Sequence, residues 1–324
     1  MRTQFVTAAL ALLIAIATPA FAQQVSFERS FNTTGAVRLD VSTLGGRIAL
    51  RSGTPGQVLI RGTATVRAAW DTPANAIELA RQIAANPPIE RTGDVIRLEP
   101  PRDPAQRRAA TVAYEVLLPP GTTVNARSNS GEITAADLPA SSTLQTDSGK
   151  IDVMTSSGDL DVTTGSGAVT VRGAGAGLKV RSSSSAIGIR EARGPVSVRT
   201  QSGAVTIDVE PTAEVNVETG SSAIVVDGAH RNLSARSQSG AIRVAGRAGG
   251  AWNIINGSGR VELTVNQGDA AQFDLSNRSG TISVPESLVM TSATKRRVEA
   301  KLGTGDHPVT VDSGSGAITL RVVR

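Results

Sequence analysis

The chain has 324 residues, a net charge of +5, no cysteine and 2% aromatic residues. Without Cys it has no disulfides, no thiolate metal sites and no Cys nucleophile. So few rings force a core of Val, Ile, Leu and Ala, and basic residues without interleaved aromatics argue against a nucleic-acid module.

The N-terminus reads as an export signal. Arg2 supplies a positive charge, Phe5 to Ala17 form an apolar run, and Ala20-Phe21-Ala22 fits the small-x-small cleavage rule. Cleavage after Ala22 predicts a periplasmic or secreted protein with no transmembrane segment. The other reading, a retained membrane anchor, needs a run of about 20 apolar residues, and this one is shorter.

Residues 23–121 read as a strand-rich cap carrying one helix. Val37-Arg38-Leu39-Asp40-Val41 and Val58-Leu59-Ile60-Arg61 alternate as strands do, and Gly45-Gly46-Arg47-Ile48 looks like a degenerate copy of the repeat that follows. Asp71-Thr72-Pro73 supplies a helix start. Ile77, Leu79, Ala80, Ile83 and Ala84 follow at helical spacing, and Asn86-Pro87-Pro88 ends the run, predicting a helix from Pro73 to Ala85. A unit of this kind shields the first coil of a stack, whose bare end would expose apolar side chains and unpaired backbone.

From residue 122 to the C-terminus a Ser-Gly-x-(Ile/Val/Leu) repeat dominates. Its Gly positions are 131, 149, 158, 167, 203, 240, 259, 280 and 316, with Ser185 and Ser222 standing in for Gly. Successive steps are 18, 9, 9, 18, 18, 19, 18, 19, 21 and 36 residues. A fixed short period marks stacked coils. Within one coil Val196, Val198, Val205 and Ile207 alternate with polar residues on either side of Gly203, so each coil holds two short strands joined at a glycine corner. The expected fold is an all-β, single-stranded β-solenoid of 18–19 residues per coil. Parallel coils stack at about 4.8 Å. The opposite connections vary in length, as in 191–194, 210–214 and 227–232, and make one decorated edge.

Little chemistry is predicted. Asp147, Asp152, Asp159, Asp161, Asp208 and Asp227 occupy several repeat positions, so they form no calcium ladder. Asp147, Asp152, Asp159 and Asp161, with Lys150 among them, are the one acidic concentration a polysaccharide-cleaving β-helix enzyme could use. Coils this short leave little chain for the walls of a cleft, and solvated charge explains the cluster better. His230 and His307 lie in no nucleophile motif, and Trp70 and Trp252 are expected to be buried in cap or core. No cofactor or metal is expected. Arg127, Arg181, Arg199 and Arg236 all stand four residues before a corner, which places them on one outward stripe. Arg181, Arg199 and Arg236 are therefore candidate anion-binding residues, against the plainer account of a solvated row with counter-charges nearby.

The run Tyr114-Glu115-Val116-Leu117-Leu118-Pro119-Pro120-Gly121 into Ala126-Arg127-Ser128-Asn129-Ser130-Gly131-Glu132-Ile133 resembles the bacterial putative-adhesin family, a domain-of-unknown-function group of β-strand-repeat proteins. The Ser-Gly-x-Ile series and the closing Leu302-Gly303-Thr304-Gly305 and Ser315-Gly316-Ala317-Ile318 extend the likeness. One departure is the missing corner between Gly280 and Gly316. The resemblance implies a cell-envelope protein without catalysis, acting in adhesion, polymer binding or scaffolding. Its partners would be an envelope polymer, a polysaccharide or another surface protein.

Overall fold

The computed structural model describes residues 23–324; the expected export signal lies outside the described residues. The chain forms two sheets, of 14 and 15 strands, and each coil gives one strand to each. Val196–Ser202 lies in the larger sheet and Val205–Val209 in the smaller, with Gly203 turning between them at φ +120°. The next coil, Val215–Thr219 and Ile224–Ala229, pairs with both in parallel, Val196 opposite Val215 and Val205 opposite Ile224. The solenoid is thus two-sided, and the inward rows of the two sheets close on one continuous core. Leu144, Val162, Val180, Val198, Val217 and Ile254 occupy one such row at 0% exposure. Each fully buried aliphatic side chain contributes about 1.5–3 kcal/mol.

Close approach explains the glycines. A Cβ on Gly131 would lie 2.1 Å from the carbonyl oxygen of Gly46, one on Gly149 2.0 Å from that of Gly131, and one on Gly167 1.7 Å from that of Gly149. The corners stack backbone on backbone. Three residues before each stands a small polar side chain turned inward: Thr43, Ser128, Thr146, Thr164, Thr200, Thr219, Ser237 and Asn256 are all buried. Ser128, Thr146 and Thr164 accept the N–H of Gly131, Gly149 and Gly167 at 2.8, 2.9 and 3.0 Å. The tight turn leaves that donor without a ladder partner, and the hydroxyl supplies one. Gly158 sits at the opposite turn, against the backbone of Ala140 and Ser141.

The stack begins before residue 122. Arg38–Thr43 pairs in parallel with Thr123–Ser128, and Ile48–Ser52 with Ile133–Leu138. The Gly45-Gly46 copy is therefore a full first coil, and the chain leaves the stack after it to build the cap. Gln57–Val66 lies antiparallel between Gln24–Asn32 and Ala110–Leu118, extending the smaller sheet. Val95–Leu98 and Ile89–Thr92 extend the larger. The helix runs Ala76–Ala85, three residues shorter at its start than expected. Thr72 does not cap it. Its hydroxyl accepts the Ala69 N–H and donates to the Arg67 carbonyl, holding the preceding loop. A second helix, Pro104–Ala109, was not expected. Asp103 caps it by accepting the Ala105 N–H at 2.8 Å, and Pro104 opens its first turn.

At the far end the coils leave sequence order. His307–Ser315 lies between Trp252–Ser258 and Ala271–Ser279, parallel to both, and Ile318–Val323 lies between Val261–Asn266 and Ile282–Ser283. The C-terminal coil is threaded inside the one that precedes it. Gly316 stacks on Gly259, and Gly280 on Gly316. The missing corner is a hairpin: Val289–Ala293 and Arg297–Leu302 pair antiparallel and close the larger sheet beyond Ala271–Ser279.

Candidate functional site

The outward rows of the larger sheet carry the candidate arginines. Register places Arg127, Gln145, Thr163, Arg181, Arg199, Glu218, Arg236 and Ile255 in one column, one residue per coil. The expected stripe therefore exists, but it is discontinuous. Arg127 is separated from the others by Gln145 and Thr163. Arg181 and Arg199 are direct neighbours on adjacent strands, about 4.8 Å apart along the rod. Glu218 separates Arg199 from Arg236.

Like charges at that spacing repel unless they are paired. Arg181 donates through Nη1 to both oxygens of Asp161, at 3.0 and 3.2 Å. Arg199 Nε lies 3.4 Å from Glu218 Oε2. Arg236 donates to the Ser234 hydroxyl at 3.1 Å and has no carboxylate within 4 Å among the described residues. All three line one open trough of about 1150 Å³, shared with Gln201, Gln238 and Ile255. Three guanidinium groups face two carboxylates there, an excess of one positive charge.

The acidic concentration does not converge. Asp152 lies on the smaller sheet, where it accepts from Lys150 Nζ at 2.7 Å; that bond and the carboxylate's charge raise the Lys150 pKa. Asp161 lies on the larger sheet with Arg181. Asp159 sits at the far turn and accepts the Gly177 N–H at 2.9 Å. Asp147 stands exposed at the glycine corner. Two carboxylates on opposite faces cannot share one glycosidic bond. His230 is half-buried beside Gly249, and His307 opens the threaded strand. Trp252 is 1% exposed and donates its indole N–H to the Arg231 carbonyl. Trp70 corrects the expectation of burial: it is 98% exposed, displayed on the turn that Thr72 closes.

The family model described as Toastrack DUF4097 matches residues 122–321. The chain belongs to this family. The Toastrack match spans the whole arginine column from Arg127 onward and leaves the first coil and the cap outside it. It bears out membership of a domain-of-unknown-function group of β-strand-repeat proteins. No curated protein matches the chain in sequence. Among solved structures, a putative cell adhesion protein from Clostridium sporogenes covers 93% of this chain with 100% of its own, at 10% identity and a TM-score of 0.23, too slight a superposition to bear on fold or function.

Two features of the Toastrack coils escaped the sequence reading. Glu218 stands four residues before Ser222, in the same repeat position as the arginines, so its place in the column was legible from spacing. Asp161 belongs to a neighbouring row and reaches Arg181 diagonally across coils. Only the register between strands brings those two together.

Proposed function

We propose that the protein is an exported, non-catalytic rod of the cell envelope that holds an anionic polymer along its larger sheet, in an adhesive or scaffolding role. The carrying observation is the trough, where Arg181, Arg199 and Arg236 stand in one register column parallel to the rod axis. A polymer lying along that axis meets a guanidinium at every coil or second coil. Planar guanidinium groups bond carboxylate or phosphate through paired N–H donors. Arg236, with no carboxylate within 4 Å among the described residues, is the strongest position. Arg181 and Arg199 must exchange Asp161 and Glu218 for the ligand, which keeps the affinity per site low and suits multivalent attachment to a long polymer.

Retention on an anionic polysaccharide column over a salt gradient tests this reading. Wild type should elute at higher salt than the triple variant Arg181→Gln, Arg199→Gln, Arg236→Gln, because exposed charges are screened over about 8 Å at physiological ionic strength. Glu218→Gln removes the competing acid and should elute later than wild type. Identical elution of all three proteins would leave the trough without a binding role. Turnover of pectin, alginate or a glycosaminoglycan, lost on changing Asp159 or Asp161, would instead establish an enzyme.

A further inference from the structure

A second cavity lies where the cap meets the first coil. It is smaller and more enclosed, about 270 Å³, and its walls come from the first corner, the loop at Glu99 and strand Ala110–Leu118. Two guanidinium groups line it. Arg67 donates through Nη1 to the Arg107 carbonyl at 3.3 Å, and Arg107 donates to the carbonyls of Pro101 and Arg102 at 2.9 and 2.6 Å. Among the described residues neither has a carboxylate within 4 Å. Glu99, the one acid in the wall, is 3.9 Å from Arg102 outside it. Two positive charges and one carboxylate therefore face one small space, a net positive wall that favours an anion there.

Tyr114 gives an independent observation. On strand Ala110–Leu118 inward residues alternate with outward ones, and Tyr114 shares the inner face with Val112, also in the cavity wall. Its ring packs edge-on against Phe27, but its hydroxyl is buried with no hydrogen-bond partner. Buried hydroxyls in folded proteins are nearly always satisfied, so an orphan beside a cavity points to an occupant. The wall also offers apolar surface from Val112, Pro100 and Pro101. The volume corresponds to about nine waters at roughly 30 Å³ each, enough for one monosaccharide-sized molecule.

We infer that this cavity binds a small organic anion of the sugar-acid type, with Arg67 holding its carboxylate, Tyr114 and Glu99 bonding its hydroxyls, and Val112 and the prolines meeting its C–H face. The inference stands apart from the trough, which lies on repeat coils that these residues do not touch. Isothermal titration of the full chain with D-glucuronate tests it, with D-glucose as the neutral counterpart. Glucuronate should bind saturably in the millimolar range or tighter, the affinity open to a ligand of this size. Glucose should bind about tenfold or more weakly, as loss of a charge-assisted bond requires. Arg67→Gln should weaken glucuronate by a similar factor, and Arg67 is exposed enough for the fold to tolerate the change. Tyr114→Phe keeps the ring and removes only the hydroxyl, so it should weaken binding without lowering the melting temperature. The triple Gln variant of the trough should bind glucuronate as wild type does. Absence of saturable glucuronate binding, equal binding of glucose, or unchanged binding in Arg67→Gln would each overturn the assignment. So would a Tyr114→Phe protein that loses stability but not affinity, since its hydroxyl would then serve the fold.

Discussion

Gly167→Ala isolates the contact that sets the repeat. Gly167 does not adopt a left-handed conformation, so the substitution meets no backbone strain of its own. Its cost lies between coils. The new Cβ would sit 1.7 Å from the Gly149 carbonyl oxygen and 2.4 Å from its carbon, while ordinary contact begins near 3.4 Å. The two coils must part locally by about 1.7 Å, a third of the roughly 4.8 Å between strands. Three bonds cross that step: Ser166 N–H to Asp147 O at 3.0 Å, Gly165 N–H to Thr146 O at 3.2 Å and Ile151 N–H to Ala168 O at 2.9 Å. Losing one or two of them at about 1 kcal/mol each, with overpacking of about 1–3 kcal/mol, gives a destabilisation near 3 kcal/mol. For a chain of this size, with an unfolding entropy of about 2.1 cal/mol/K per residue, that lowers the melting temperature by about 4–5 °C. Gly188→Ala is the control, because Gly188 faces outward with nothing within 4 Å of its Cβ position and should change stability by less than about 0.5 kcal/mol. Ser185 and Ser222 occupy the same column, so a Cβ is not forbidden in principle; the clash belongs to the local path of the chain at Gly167. Thermal or denaturant unfolding of both variants decides the matter. A Gly167→Ala protein as stable as Gly188→Ala would refute the stacking argument.

Three further outcomes are expected. Tyr114 is the sole tyrosine, and burial raises its pKa above the ordinary value of about 10. The stability this represents is intact below pH 10 and is lost as pH rises, because only the unfolded chain releases the proton; wild type should lose about 1.4 kcal/mol per pH unit more than Tyr114→Phe there. Tyrosinate absorbance should accompany unfolding and not precede it. Asp269→Ala removes a buried carboxylate that accepts the N–H groups of Ala248 and Asn266, both at 3.0 Å, and should cost about 2–4 kcal/mol in denaturant unfolding. Thr155 is a β-branched residue at φ +70°, stacked beside Gly173 at φ +65°, so Thr155→Gly should raise stability by about 1 kcal/mol, read as a higher midpoint in the same assay.

The coil was legible because each repeat makes the same contacts as the last. Ser-Gly-x-Ile records a corner with no room for a Cβ followed by the first buried residue of a strand; the buried residue recurs at every level of the stack and the glycine at every level but those of Ser185 and Ser222. The small polar side chain three residues before each corner, Ser or Thr at most levels and Asn at 256 and 277, was equally regular, yet Ser and Thr are so frequent here that their column was hidden in composition. Helix Pro104–Ala109 was signalled by Asp103-Pro104, but six residues offer too short a window for apolar periodicity. Trp70 escaped because composition places tryptophan inside by default and says nothing of a loop pinned by a neighbouring threonine. At the trough, spacing placed Arg181, Arg199 and Arg236 on one stripe. The strength of that stripe depends on Asp161, whose reach across coils depends on register.

Threading of the last two coils was invisible for a different reason. Ser279-Gly280 and Ser315-Gly316 carry the same signature, so periodicity says that both coils stack without saying which lies outside. The strands decide it through their lengths. The C-terminal coil offers the smaller sheet a six-residue strand, Ile318–Val323, while the preceding coil offers two residues, Ile282–Ser283. In sequence order the six-residue strand would be the open edge, presenting a row of unpaired N–H and C=O groups to any other chain. Threading pairs it along its whole length on one side and covers Ile318 and Thr319 on the other, leaving the two-residue strand outermost. In the larger sheet the same end is covered by the hairpin, whose outer strand Val289–Ala293 is five residues long and loses register between Met290 and Ser292. Short and irregular edges are poor templates for pairing. The order of the coils thus follows from which arrangement ends the stack, and the 36-residue step that breaks the repeat is the length of chain needed to double back and do so.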